Sequence, residues 1–167
     1  LEAPFALYMA DVHAAEPDQV GYIMASLGIV VALFQGAVGR VSSKVGDKAM
    51  AMGGLAMLAV GLTLAPIGAS LTWLLIALVG SSIGRAFAQP GMLALASRSG
   101  DEASTGRRLG VYQSAASLGR ILGPTIGGAV YLWVDVSAPF VLAGLLLALA
   151  LIYWRARWRP IKGGAAP

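Results

Sequence analysis

Apolar residues along this sequence come in long runs separated by short polar or basic stretches. A helix that crosses a bilayer needs roughly 20 mostly apolar residues. Runs at 20–38, 49–66, 71–97, 109–133 and 138–154 meet that need and predict five full transmembrane helices. Ahead of them, residues 1–10 are apolar but too few to cross. They end in the polar stretch 11–19 and read as the remnant of a preceding span. Strands do not fit, because a membrane barrel alternates polar and apolar positions whereas 145–152 is apolar throughout. Five consecutive apolar helices also leave too little polar face to meet water. The predicted fold class is an all-α membrane protein, a polytopic helical bundle in contact with lipid.

Composition agrees: of 167 residues, 57% are hydrophobic and 12% charged, with a mean hydropathy of +0.75. The net charge of +4 does not point to nucleic acid, because the basic residues cluster between the apolar runs. Arg40, Lys44 and Lys48 follow the first full span, Arg98, Arg107 and Arg108 the third, and Arg155, Arg157, Arg159 and Lys162 the fifth. The alternate connections 11–19, 66–70 and 134–137 hold no Lys or Arg. By the positive-inside rule the basic connections and the tail 155–167 lie in the cytoplasm, which predicts a multi-pass protein of the plasma (inner) membrane with a cytoplasmic carboxyl terminus. Trp73 and Trp133 fall at span ends on the other side, where indole rings favour the headgroup layer. With no Cys, disulfides and thiolate metal sites are excluded.

Two basic residues remain, Arg85 and Arg120, near the middle of their spans. A central Arg costs about 2.5 to 3.5 kcal/mol on insertion scales, so it faces protein or a wet cavity. On the third span Ser81, Ser82, Arg85 and Gln89 fall within an arc of roughly 100° at the helical step. On the fourth, Gln113, Ser117 and Arg120 recur on one face. The second and fifth spans carry almost no polar side chain and can face lipid. Arg85, Gln89, Gln113, Ser117 and Arg120 are therefore the candidate substrate pathway, against the alternative that the arginines only lock helices together. No Asp or Glu lies inside a full span: Asp47, Asp101, Glu102 and Asp135 sit in connections. A proton-carrying carboxylate is expected in sequence upstream.

The fourth span also holds Gly110, Gly119, Gly123, Pro124, Gly127 and Gly128. Gly119, Gly123 and Gly127 recur every four residues, the spacing of a groove for close helix packing. Pro124 has no N–H and frees the carbonyl of Arg120, which favours a kink, and Pro90 does the same below Arg85. The segment 110–128 resembles the antiporter motif of the major facilitator superfamily, near its drug:proton antiporter group. The connection 39–48 resembles the superfamily's cytoplasmic loop motif, with Gly39, Lys44, Gly46 and Lys48 matching and Ser43 where the pattern has an acid. That departure leaves two readings of the loop, a charge relay or a helix-capping turn with solvated basic residues.

The resemblance covers essentially the whole chain. It implies a carboxyl-terminal half: helices eight to twelve of a twelve-helix fold behind a truncated seventh, with the tenth lining the cavity and the eighth and eleventh facing the other half. It implies secondary active transport by alternating access, as proton-coupled efflux of small amphiphilic compounds. The implied partners are the bilayer, a small-molecule substrate, protons and an N-terminal half of the same transporter. An uptake carrier for a small metabolite, and a scaffold or sensor without transport, are the alternatives. No cofactor or metal is expected. An intramembrane enzyme would need a nucleophile with a base, or metal ligands, at membrane depth. His13, the one His, falls in the outer connection and is expected to be solvated.

Overall fold

The computed structural model describes residues 2–68, 70–98 and 102–157, and these form six helices joined by short connections. They are α1 (Glu2–His13), α2 (Pro17–Gln35), α3 (Val38–Leu64), α4 (Leu71–Arg98), a single 3₁₀ turn at Glu102–Ser104, α5 (Thr105–Trp133) and α6 (Ala138–Arg157). Four of them, α2, α3, α4 and α6, are long and apolar enough to cross a membrane. The fifth predicted span is helical throughout, but α5 carries Gln113, Ser114, Ser117 and Arg120 along its 29 residues and is too polar to count with those four. Arg159 and Lys162 of the basic tail, and Asp101, lie outside the described residues.

Helix ends depart from the apolar runs because local chemistry sets them. α1 continues three residues past its apolar run, to His13. α2 starts at Pro17, whose fixed φ and missing N–H suit a first helical position. The backbone N–H of Glu16 is taken up by the Gln19 side chain at 3.1 Å. The largest correction concerns 39–48. This stretch is not an extended loop, because α3 begins at Val38 and the true connection shrinks to Gly36 and Ala37. Val38, Val41 and Ser42 are half-buried while Arg40, Ser43 and Lys44 are exposed, so the first arm of α3 is a short amphipathic helix. It ends at Gly46, whose φ of 80° and ψ of 154° break the helical path. A side chain rarely adopts that backbone conformation, which is why Gly stands there. Pro90 and Pro124, by contrast, interrupt neither helix.

Packing centres on α3 and α4, which run antiparallel in the closest pairing of the bundle. Glycines set that closeness. A Cβ on Gly54 would lie 2.5 Å from the backbone N of Ala88, and one on Gly84 2.6 Å from that of Leu58. Gly61 against Ala77 and Gly91 against Ala51 repeat the arrangement one step along the seam in each direction. Such backbone approach is how helices gain dispersion contacts where lipid offers no hydrophobic drive. α6 packs on the other side of α3, and α2 and α5 flank α4. α3, predicted as a bland scaffold helix, thus buries one face in the seam while Met57 and Val60 on its other face stay exposed.

The buried apolar cluster joins Phe5, Tyr8 and Met9 of α1 with Leu62, Leu74, Leu78 and Phe140 at the end of the bundle away from the basic connections. Two indole and phenol contacts tie that end together. Trp73 Nε1–H donates to the Leu64 carbonyl at 2.9 Å, and the Tyr131 hydroxyl donates to the Asp11 carboxylate, linking α5 to α1. Tyr131 is the one buried residue among those described in α5.

Candidate functional site

Ser81 and Ser82 are buried on α4, and Arg85 follows one turn later, near the middle of the helix. The three line a cavity of about 390 Å³. Its other walls are Phe5 from α1, Met24, Leu27 and Gly28 from α2, Leu58 and Leu62 from α3, Leu78 from α4 and Phe140 from α6. The Ser81 hydroxyl donates to the Leu78 carbonyl at 2.9 Å, which satisfies it within its own helix. Among the described residues the cavity lining is thus apolar except for one hydroxyl-bearing turn that ends in a guanidinium.

Three other arginines, Arg98, Arg108 and Arg120, have protein partners. Arg98 Nη1 donates to Asp47 Oδ2 at 2.6 Å. Arg108 reaches the Ala96 carbonyl at 3.2 Å and the hydroxyl of Thr105 at 2.8 Å, closing the exposed carbonyl end of α4. Arg120 Nη2 donates to Ser117 Oγ at 3.1 Å on the same face of α5. Arg85 forms no hydrogen bond or ion pair among the described residues.

Of the five candidate pathway residues, the fold brings only Arg85 into the cavity. Gln89 is exposed one turn beyond it, and Gln113, Ser117 and Arg120 lie on the exposed face of α5, which contributes nothing to the cavity walls. The two polar stripes therefore do not meet within the described chain. Gly110, Gly119, Gly123 and Gly128 likewise face open space, with no atom within 4 Å of an added Cβ. The intimate glycine packing lies instead in the α3–α4 seam. Its signal was present in the sequence: Gly54 and Gly61, like Gly84 and Gly91, stand one heptad apart on consecutive apolar runs.

The connection motif has a different centre from the one its spacing suggested. Gly39 and Lys44 are exposed and Lys48 is half-buried. Ser43 stands at the motif's acidic position, and the carboxylate of Asp47 is buried four residues on, immediately after the Gly46 kink. Asp47 accepts from the Ser42 hydroxyl on the first arm of α3 and from Arg98 at the end of α4. A carboxylate in a run of basic residues was visible beforehand, but which cation it meets depends on the helix crossing. His13 also departs from expectation. It sits in the last turn of α1, half-buried with its ring 5.9 Å from that of Tyr8, and its Nε2 is buried without a partner among the described residues. Among the described residues no three His, Asp or Glu side chains come together as a metal site.

Comparison with known proteins adds an independent line. Residues 3–166 match the family model described as Major Facilitator Superfamily. The chain is 30% identical over 134 residues to the synaptic vesicular amine transporter of Rattus norvegicus, and equally to that of Mus musculus. The matched part covers 79% of this chain and 26% of each relative, so the chain spans about a quarter of the length of these relatives. No solved structure matches.

Proposed function

The chain belongs to the Major Facilitator Superfamily, and from that membership we propose that it forms the carboxyl-terminal half of a secondary active transporter that exports small amphiphilic compounds in exchange for protons. The observation that carries this reading is Arg85, a guanidinium without a partner among the described residues, on the wall of an otherwise apolar cavity at mid-helix. Intramembrane charge is costly and marks solute or ion pathways. The open polar face of α5, with Gln113, Ser117 and Arg120, is the surface that an upstream half would cover, and the path would run between the two. Rocking one half against the other around a midplane site then gives alternating access. The glycines and Pro124 of α5 are where that helix would bend. The basic connections would face the cytoplasm of the plasma membrane, and the proton-carrying carboxylate would come from the upstream half.

The relatives' names specify amines, which places organic amines among the compounds to be tried. Arg85 and Arg120 repel a cation, so amine binding would require carboxylates from the other half. An arginine that lines a cavity without a partner among the described residues weighs against a scaffold without transport. The reading is tested with the full-length protein reconstituted in vesicles of phosphatidylethanolamine and phosphatidylglycerol. Anionic, neutral and cationic fluorescent amphiphiles are supplied under an imposed proton gradient. Accumulation that collapses with a protonophore supports it; gradient-independent leakage of every compound contradicts it. An Arg120→Ala variant equal to wild type would remove Arg120 from the pathway.

A further inference from the structure

Arg85 bears on which amphiphiles the cavity takes. We propose that the α4 cavity is a subsite for an anionic amphiphile, its carboxylate or similar anion held by Arg85 with Ser82, and its apolar body lying along Leu27, Leu58 and Leu78 toward Phe140. The proposal rests on the reading of this cavity as part of the solute path, and it narrows the substrate class.

The charge, donors and dimensions of the cavity carry it. The guanidinium presents five N–H donors and no acceptor, and it forms no hydrogen bond or ion pair among the described residues. Among the described residues no Asp or Glu lines the cavity, so a bound cation would meet repulsion that none of them offsets. An anion there completes the bidentate pairing that suits guanidinium and carboxylate. Ser81 already donates to Leu78, which leaves the buried Ser82 hydroxyl as the better placed second donor. Leu78 and Arg85 are about 10 Å apart along the helix at its usual rise, so the charged and apolar ends of the cavity are separated by the length of a fused aromatic body. A volume of about 390 Å³ lies within the range of small-molecule sites, roughly 300–1,000 Å³. Arg85 itself is exposed, so an anion can reach it from the open side of the bundle.

The experiment uses a matched pair with one apolar body and opposite charge, 2-naphthoate and 2-naphthylmethylammonium. Binding to the purified full-length protein is followed by naphthalene fluorescence, and flux is followed in the reconstituted vesicles. Wild type should bind naphthoate at least about tenfold tighter than the amine, the scale of one hydrogen bond to a charged group. Arg85→Gln should abolish that preference, and Ser82→Ala should weaken naphthoate by a smaller factor. Arg85→Lys, which keeps the charge and loses the fork, should fall between. Equal or tighter binding of the amine by wild type overturns the proposal. So does an Arg85→Gln variant that binds naphthoate like wild type, the result expected if a carboxylate of the upstream half neutralises Arg85. Should Arg85→Gln not elute as a folded protein, Arg85→Lys and Ser82→Ala decide the matter, and unchanged naphthoate binding in both overturns it. Naphthoate binding without gradient-driven flux would sink the transporter reading and leave the anion subsite standing. Gradient-driven flux of the amine alone would do the reverse.

Discussion

An ion pair whose two members differ in burial does not respond symmetrically to mutation. The Arg98 side chain is 74% exposed and that of Asp47 only 8%. Removing Asp47 releases Arg98 to water, so Asp47→Asn should cost no more than a surface pair does, about 1 kcal/mol. Removing Arg98 leaves a buried carboxylate without that cation, with Ser42 still donating to it, and Arg98→Ala should cost about 2 kcal/mol. Thermal unfolding of the purified full-length protein in detergent measures both. A larger loss for Asp47→Asn would mean that the pair is not seated as described. Arg85 was legible in the sequence because a lone arginine inside an apolar run has few explanations. Asp47 was not, since its role appears only when the Gly46 kink turns it under the end of α4. His13 was misread for a similar reason: α1 outlasts its apolar run and carries the imidazole back against Tyr8.

At the scale of the helix, glycines with the same sequence appearance have opposite surroundings. Gly54 meets the backbone of α4, whereas its neighbour Gly53 has no atom within 4 Å of an added Cβ. Gly54→Ala should therefore destabilise by about 1 to 3 kcal/mol through forced separation of α3 and α4, while Gly53→Ala should leave the unfolding midpoint unchanged or slightly raised. Equal effects of the two would contradict the seam. Gly123, also in open space, gives a different expectation. Gly123→Leu should leave the unfolding midpoint of this chain almost unaltered yet reduce gradient-driven flux in the full-length protein, if the groove is filled by a moving partner. Flux equal to wild type would exclude the groove from the mechanism. The apolar runs identified each helix, yet hydropathy could not locate their ends. Pro17 with Gln19 starts α2 earlier than its run does, and the amphipathic arm 38–45 extends α3 into what hydropathy reads as a loop.

For the whole molecule, the question is what lies against the open faces of α2 and α5. Tyr22, Ile29 and Leu33 on α2, with Val111, Leu118 and Ile121 on α5, are exposed large apolar residues, and Gln113 and Arg120 are exposed beside them. Lipid can cover the former but not the latter without cost. In a membrane, this chain expressed by itself should be cleared faster than the same chain co-expressed with an upstream half; equal lifetimes in a pulse-chase would show that its polar face needs no partner. The helical membrane class was legible from the sequence because the solvent dictates it. That the two polar stripes do not meet was not, because helix packing decides it: the α4 stripe turns toward the cavity, while the α5 stripe faces away from these helices. Alternating access itself is best tested at Ser82, since the chain contains no cysteine to interfere. In the reconstituted full-length protein, with any upstream cysteine replaced so that Ser82→Cys is its one thiol, a membrane-impermeant maleimide is applied from either face under opposite proton gradients. The account predicts labelling from one face under one gradient, from the other face when the gradient is reversed, and protection by transported compound. Labelling from the same face under both gradients would contradict it.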